Sequence, residues 1–182
     1  MILLARHGET TENRERRFQG QKDVPLNERG REQARALAEA AARAEPRPIV
    51  ALYTSPLVRA RETAAIVGER IGLTPRPDDR LKEVDVGDWQ DRLKDDVARE
   101  DPEAWAAFHA AGEDFRFPGG ESLAEQQERV IAALVDITQR AELPALVVCH
   151  RGVVRCALAH THKRGLETYH DWQVPNAELI RL

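Results

Sequence analysis

The sequence has little cysteine, no long apolar run and no excess of positive charge. Its two cysteines, Cys149 and Cys156, are too few for the disulfide framework of a small secreted protein. No apolar stretch approaches the roughly 20 residues of a membrane span, and the first residues lack the pattern of a secretory signal. The formal net charge of −4 argues against a general binder of nucleic acids or of anionic membranes. We therefore expect a cytoplasmic protein.

The composition fits one folded domain over residues 1–182. Apolar residues make up 42% and charged residues 32%, and no internal repeat or low-complexity linker interrupts them. The charge is uneven, because residues 78–128 carry 16 acidic and 6 basic side chains. The rest of the chain is therefore mildly basic. This pattern has two interpretations. The acidic residues form a solvated surface, or the basic residues in the rest of the chain form an anion-binding site.

Short apolar runs alternate with helical patterns along the chain. The predicted strands are residues 2–5, 49–54, 81–86 (a strand or an extended segment), 146–149 and 177–182. The predicted helices are residues 27–44 with Asn27 as N-cap, 55–71 with Ser55 as N-cap, 91–110 in one or two pieces, 122–140, and 151–160. This alternation predicts an α/β three-layer sandwich, in which helices cover both faces of a mostly parallel sheet.

Polar side chains follow three of the predicted strands at the point where each apolar run stops. They are Arg6-His7, Thr54-Ser55 and His150-Arg151. Ligands bind beyond the carboxyl ends of the strands in such sheets, and a guanidinium recognises phosphate through forked hydrogen bonds. Gly8 allows the backbone to approach a bound group. On these residues alone, a surface arginine and a capping histidine remain the alternative.

Five ordered segments carry a wider pattern. They are residues 6–30 (with RHGETTEN, FQG and DVPLNERG), 55–63 (SPLVRARET), 81–89 (with LKE, Gly87 and Trp89), 118–122 (PGGES) and 148–155 (VCHRGVVR). In order and spacing, over nearly the whole chain, they resemble the histidine phosphatase superfamily. Its best-known branch is the cofactor-dependent phosphoglycerate mutases. The resemblance implies a phosphoglycerate mutase-like fold.

The resemblance also implies catalysis through a phosphohistidine. His7 would accept the phosphoryl group, and Glu83 would protonate the leaving alcohol and then take a proton from water. Arg6, Arg59 and His150 would bind the phosphoryl oxygens. The implied substrate-binding set is Arg6, Asn13, Gln19, Gly20, Arg59 and His150. A neutral imidazole is a nucleophile at neutral pH, and phosphoryl transfer depends mainly on positioning and charge stabilisation. No metal and no cofactor is therefore expected.

Two assignments keep alternatives. Asp85, Asp88 and Glu62 lie in the same segments as Glu83, which is favoured by its position four residues before the glycine of that segment.

Arg151 stands where many family members have a small residue. It is either an exposed side chain at a helix start or a cation at the pocket rim that favours a substrate with a second anionic group. We include Arg151 among the predicted substrate-binding residues.

His160 and His162, with Cys149 and Cys156, raise the alternative of a metal site. Their spacing fits no common zinc motif. We therefore expect core or surface positions for all four.

The remaining aromatic residues are expected to pack in the core or to line the pocket. His109 follows two aromatic residues on a predicted helix and is expected to pack, whereas His170 is either packed or at the pocket rim. Trp89, Trp105 and Phe115 flank the acidic segment, and core packing is favoured for them, with pocket lining as the alternative.

The resemblance and the residues that carry it favour a metal-independent phosphomonoester phosphatase that acts on a small phosphorylated metabolite, such as a sugar phosphate, a phosphoglycerate-type acid or ribazole phosphate. The first alternative is a cofactor-dependent phosphoglycerate mutase, although mutases of the classical type are longer. The second is a phosphate-binding module without catalysis. No nucleic-acid or membrane partner is expected, and a homodimer is left open.

Overall fold

A computed structural model describes residues 1–140 and 143–182 and contains a five-stranded sheet. The strands are β1 (Ile2–Arg6), β2 (Ala51–Thr54), β3 (Arg76–Pro77), β4 (Ala145–Cys149) and β5 (Leu179–Arg181). Their order across the sheet is β3-β2-β4-β1-β5. Only the pairing of β5 with β1 is antiparallel. The mostly parallel sheet is thus confirmed.

Helices lie on both faces of this sheet. They are α1 (Thr11–Arg14), α2 (Glu28–Ala42), α3 (Val58–Ile71), α4 (Lys94–Glu100), α5 (Pro102–Ala110), α6 (Leu123–Gln139) and α7 (Arg151–Thr161). Successive side chains of a strand point to opposite faces. Leu4 of β1 therefore packs with α6 and α7, while Leu3 and Ala5 pack with α2 and α3. The three-layer sandwich is confirmed.

Helix-capping residues explain where two of the long helices begin. The side chain of Asn27 accepts a hydrogen bond from the backbone N–H of Gly30, as predicted for the start of α2. At α6, Ser122 and Glu125 form a reciprocal capping box. Each cap satisfies backbone donors that the first helical turn leaves without partners.

The predicted N-cap of α3 is wrong. The helix begins at Val58, after an N-cap at Leu57 that makes no side-chain hydrogen bond. The backbone N–H of Ser55 donates to the carbonyl of Val148 at 3.0 Å, so the chain still follows the sheet at this residue. Its hydroxyl lies 2.7 Å from Nε2 of His150. Ser55 therefore belongs to the strand end and not to the helix.

Of the two alternatives predicted for residues 81–86, a strand or an extended segment, the strand is wrong. Short 3₁₀ turns at Asp79–Leu81 and Gly87–Trp89 flank this segment, and the strand on this side of the sheet is β3. The guanidinium of Arg129 donates to the carbonyls of Arg80, Lys82 and Glu83 at 2.7, 2.7 and 3.1 Å. These carbonyls are the groups that a neighbouring strand would otherwise pair.

The predicted last strand, residues 177–182, is shorter in the structure. Ala177 has a φ of +54°, and the residues in register with β1 are those of β5. A positive φ takes a residue out of the extended conformation that a strand requires.

The sheet brings the three candidate strand ends together. In the register of β1 with β4, Arg6 lies opposite Cys149, and in that of β2 with β4, Thr54 lies opposite Val148. His7, Ser55 and His150 follow directly at the same edge. Within the described residues, no helix is long and apolar enough to cross a membrane.

Candidate active site

His7 is held as a neutral imidazole with one defined tautomer. The side chain is buried, and its Nδ1 lies 2.6 Å from the carbonyl oxygen of Gly8. A carbonyl only accepts, so Nδ1 carries the proton and Nε2 has a lone pair. Burial, with the nearby guanidiniums of Arg59 and Arg6, holds the pKa of His7 well below its usual value. Nε2 is therefore available as a nucleophile.

Arg59 reaches this nitrogen from α3. Its Nε lies 3.3 Å from Nε2 of His7, while its two terminal nitrogens donate to the carbonyls of Lys22 and Gly20 at 2.8 and 2.7 Å. Gly20 has a φ of +52°, and a Cβ there would lie 2.7 Å from the Val86 side chain. Gly20 lines the pocket, and its carbonyl orients the guanidinium of Arg59.

Arg6 ends β1 beside His7. Its Nη1 donates to the carbonyl of Val174 at 3.2 Å, but its buried Nε has no hydrogen-bond partner among the described residues. Burial, followed by the charge of Arg151, lowers the pKa of Arg6 to about 9. A buried cation with an unused donor is a site that a bound anion would stabilise.

His150 lies directly beside His7 and not in the pocket wall. The two rings are 5.2 Å apart between centroids. Nε2 of His150 pairs with the hydroxyl of Ser55, whereas its buried Nδ1 has no partner in the described part of the chain. Burial and the charge of Arg59 keep its pKa well below the usual value. Sequence reasoning placed Thr54-Ser55 at one of the three candidate strand ends, but it gave Ser55 the role of a helix cap and not that of a partner of His150.

Glu83 faces the pocket with both carboxylate oxygens hydrogen-bonded. Oε1 accepts from the backbone N–H of Val84 at 2.9 Å and from Nε2 of Gln126 at 3.1 Å. Oε2 accepts from the backbone N–H of Gly152 at 3.2 Å, in the first turn of α7. A Cβ on Gly152 would lie 2.4 Å from Oε1, so a glycine is required for this approach.

The other candidate acids make different contacts. Glu62 accepts from the backbone N–H of Leu26, and Asp85 from that of Gly87. Asp88 lies beside Gly119. Among the residues that the structure describes, Glu83 is the only carboxyl group in the pocket wall.

Asn13 and Gln19 line the pocket and also stabilise its floor. Asn13 forms a reciprocal capping box with Thr10 at the start of α1, using its Oδ1 as acceptor. Nδ2 of Asn176 also lies 3.5 Å from that oxygen. Oε1 of Gln19 accepts from the Thr10 hydroxyl at 3.1 Å. Both predicted residues therefore reach the site, where their oxygens are already hydrogen-bonded.

A cavity of about 300 Å³ joins these groups and extends outward between α4, α5 and α7. Its outer wall combines cations with aromatic rings. Besides the residues described above, the wall contains Arg16, Arg17, Phe18, Lys94, Trp105, Phe108, His109, Phe117, Arg151, Arg155, Tyr169 and His170. Trp105, His109 and His170 line the pocket, whereas Trp89 and Phe115 are buried in the core.

Lys94 and Arg155 are pocket cations that sequence reasoning missed. Burial and the charge of Arg151 lower the pKa of Lys94 to about 8. Arg155 is fixed by the carbonyl of Trp172 at 3.1 Å and by Nδ1 of His170 at 3.3 Å. Arg155 had one available signal, because it is the last residue of the recognised segment 148–155, whereas Lys94, at the start of α4, had none.

The alternative metal ligands do not form a cluster. Cys149 and Cys156 are buried free thiols, and His162 stacks on Trp172 with 4.9 Å between ring centroids. Within residues 1–140 and 143–182, no group of three or more His, Cys, Asp or Glu side chains is arranged to hold a metal ion.

A family comparison explains this arrangement of His7, Arg59, Glu83 and His150. The model of the histidine phosphatase superfamily (branch 1) matches residues 2–182. The chain belongs to the histidine phosphatase superfamily. The "Probable phosphoglycerate mutase GpmB" of Klebsiella pneumoniae is 40% identical over 163 residues, which cover 87% of this chain and 73% of the relative.

Solved structures of the superfamily agree with the fold. Bacillus stearothermophilus YhfR superposes with a TM-score of 0.88 at 33% identity, covering 98% of this chain and 88% of YhfR. A mycobacterial glucosyl-3-phosphoglycerate phosphatase in complex with VO3 superposes with a TM-score of 0.86 at 31% identity. The match covers 98% of this chain and 90% of that one.

Proposed function

We propose that this superfamily member is a metal-independent phosphatase of small phosphomonoesters that works through a phosphohistidine at His7. The observation that carries the proposal is the state of His7, a buried neutral imidazole whose Nε2 faces Arg59. The unpartnered Nε–H of Arg6, which lines the pocket beside it, is suited to a phosphoryl oxygen. The similar mycobacterial phosphatase that binds VO3 supports the same reading.

The proposed reaction has two displacements at phosphorus. In the first, Nε2 of His7 forms a bond to phosphorus, the bond to the leaving oxygen breaks, and Glu83 protonates that oxygen. In the second, water attacks the phosphohistidine, Glu83 takes its proton, and inorganic phosphate leaves with His7 restored. The guanidiniums of Arg6 and Arg59 stabilise the charge on the transferred group in both steps.

The pocket favours substrates with a second anionic group. Lys94 and Arg151 line the cavity and have no carboxylate partner in the described parts of the chain. Because the pocket is partly buried, each of these cations would interact with a carboxylate or a second phosphate more strongly than it would in open solvent. This arrangement supports phosphoglycerate-type acids, which carry a carboxylate besides the phosphate, over sugar phosphates without a second anionic group.

A screen of metabolite phosphates, read out as phosphate release, tests the activity. We expect turnover of at least one metabolite phosphate with a second anionic group, and no detectable turnover by His7→Ala. Arg151→Ala is expected to lower kcat/KM about tenfold for substrates with a second anionic group, and much less for those without one. An equal change for both substrate groups would remove the role of Arg151.

Phosphoglycerate mutase activity is the second candidate, because relatives such as that of Klebsiella pneumoniae carry this name. The two reactions differ in whether water or a bound phosphoglycerate accepts the phosphoryl group. The assay uses 3-phosphoglycerate with and without 2,3-bisphosphoglycerate. We expect phosphate release that does not require the bisphosphate. Isomerisation that depends on the bisphosphate, without phosphate release, would contradict the phosphatase proposal.

A further inference from the structure

Gln126 is a buried polar residue that none of the recognised motifs explains. It lies on α6 and is fully buried. Its Nε2 donates to Oε1 of Glu83 at 3.1 Å, and its Oε1 lies 3.5 Å from Sγ of Cys156. A buried amide side chain is costly unless its groups are hydrogen-bonded, and here both ends have a partner.

These contacts define which way the amide points. A thiol is a weak donor and an amide oxygen accepts from it, so Cys156 favours the orientation in which Oε1 faces α7. Nε2 then faces Glu83. The reverse orientation would put an amide oxygen against a carboxylate oxygen, which is repulsive while Glu83 is ionised.

The contact from Gln126 makes the two oxygens of Glu83 different. A carboxylate oxygen has two acceptor positions. Both positions of Oε1 are taken, by the N–H groups of Val84 and Gln126, whereas Oε2 accepts only from Gly152 among the described residues. Oε2 is therefore the oxygen with a position left for a proton.

We propose that Gln126 is a positioning residue that directs the transferable proton of Glu83 to Oε2. It does so by occupying Oε1 and holding the plane of the carboxyl group. This inference rests on the proposed phosphatase function, in which Glu83 protonates the leaving oxygen. Without Gln126, a proton could also bind to Oε1, which faces α6. The carboxyl group would also lose one of the three hydrogen bonds that it accepts.

Leaving-group dependence separates this role from a general structural one. An alkoxide needs a proton in order to leave, whereas p-nitrophenolate leaves without one. The test measures kcat/KM of wild type, Gln126→Met and Gln126→Asn on p-nitrophenyl phosphate and on the best alkyl phosphate of the metabolite screen. Gln127→Met is the matched control, because the neighbouring Gln127 donates to the carbonyl of Cys156 and does not contact Glu83.

For both Gln126 variants we expect kcat/KM on the alkyl phosphate to fall on the order of 10–100-fold, since displaced catalytic groups lose about that much. The value on p-nitrophenyl phosphate should fall by less than about threefold. The pH dependence of kcat/KM on the alkyl phosphate should also change in both variants, while Gln127→Met behaves as wild type.

Equal losses on both substrates, or no loss on the alkyl phosphate, would overturn the role of Gln126 while leaving the phosphatase proposal intact. A wild-type enzyme that hydrolyses neither substrate would overturn the proposed function itself, and the role of Gln126 with it.

Discussion

In the proposed reaction His7 is the nucleophile and Glu83 transfers the protons. Backbone groups hold both side chains in position. The carbonyl of Gly8 selects the tautomer of His7, and the N–H groups of Val84 and Gly152 orient Glu83. A backbone group can make such a contact whatever side chain its residue carries, unless that side chain would block the contact. In the segment that contains His150, we therefore expect a substitution of Gly152 to disturb Glu83 more than a substitution of Arg151.

Replacing Gly152 with alanine tests this contact. The added Cβ would lie 2.4 Å from Oε1 of Glu83, so we expect the carboxyl group to move and kcat to fall on the order of 100-fold on an alkyl phosphate.

Gly72→Ala is the control for Gly152→Ala. Gly72 ends α3 with a φ of +72° and open space around its Cα, so alanine there should cost about 1 kcal/mol in the free energy of unfolding. The control should keep wild-type kcat although it is less stable. A Gly152→Ala enzyme with wild-type kcat would show that Glu83 does not require this approach.

At the scale of elements, three parallel strands place their ends side by side, and this much could be predicted from the sequence. The apolar runs were short and clear, and each was followed by a polar motif residue such as His7 or His150. The conformation of residues 81–86 could not be predicted in this way. Its apolar residues Leu81, Val84 and Val86 favour a strand, but Arg129, more than 40 positions later, binds carbonyls of this segment instead.

Arg129 is therefore expected to stabilise the segment that carries Glu83. It also pairs with Glu121 at 2.6 Å in a partly buried site. Arg129→Lys keeps the charge but loses the planar set of donors, so we expect a loss of about 2 kcal/mol in the free energy of unfolding. Urea unfolding measures this loss, and activity should fall with it.

Arg116→Lys is the matched control for the Arg129 variant, because its ion pair with Glu125 is exposed. Exposed pairs contribute little to stability, so we expect a much smaller loss of stability than in Arg129→Lys. Equal losses in the two variants would mean that Arg129 acts only as a surface cation.

At the scale of the whole molecule, a chain with a net charge of −4 has one cavity whose described lining is mainly cationic. Seven arginine or lysine side chains line this cavity with a single carboxylate. Part of this could be predicted, because Arg6, Arg59 and Arg151 lie in or next to motifs. Lys94 could not, since it belongs to the acidic segment and reaches the pocket only through the packing of α4.

Buried neutral histidines make the stability of the molecule depend on pH. The pKa of His7 is lowered in the folded state, so the unfolded chain binds more protons once the pH falls below about 6.5. The stabilisation is complete above that pH and is lost as the pH decreases toward the lowered pKa. Stability depends on pH in the same direction through His150, whose pKa is also lowered, and through His170, where burial lowers the pKa to about 4.

We expect the free energy of unfolding to fall between pH 7.5 and 5.5, by about 1 kcal/mol for each of the buried residues His7 and His150. Urea unfolding in phosphate-free buffer measures it. His7→Gln removes one of these titrating groups, so its stability should fall by about 1 kcal/mol less over the same interval. The same pH dependence in wild type and variant would show that His7 is not held neutral.

The most direct test of the proposed mechanism is to trap the phosphoenzyme. Wild type is mixed with an excess of phosphate-labelled substrate, quenched in alkali, in which phosphohistidine survives, and digested for peptide mapping. We predict label on Nε2 of His7 within the first turnover, and none in His7→Ala. Turnover without a labelled histidine, or label on any residue other than His7, would contradict the proposed mechanism.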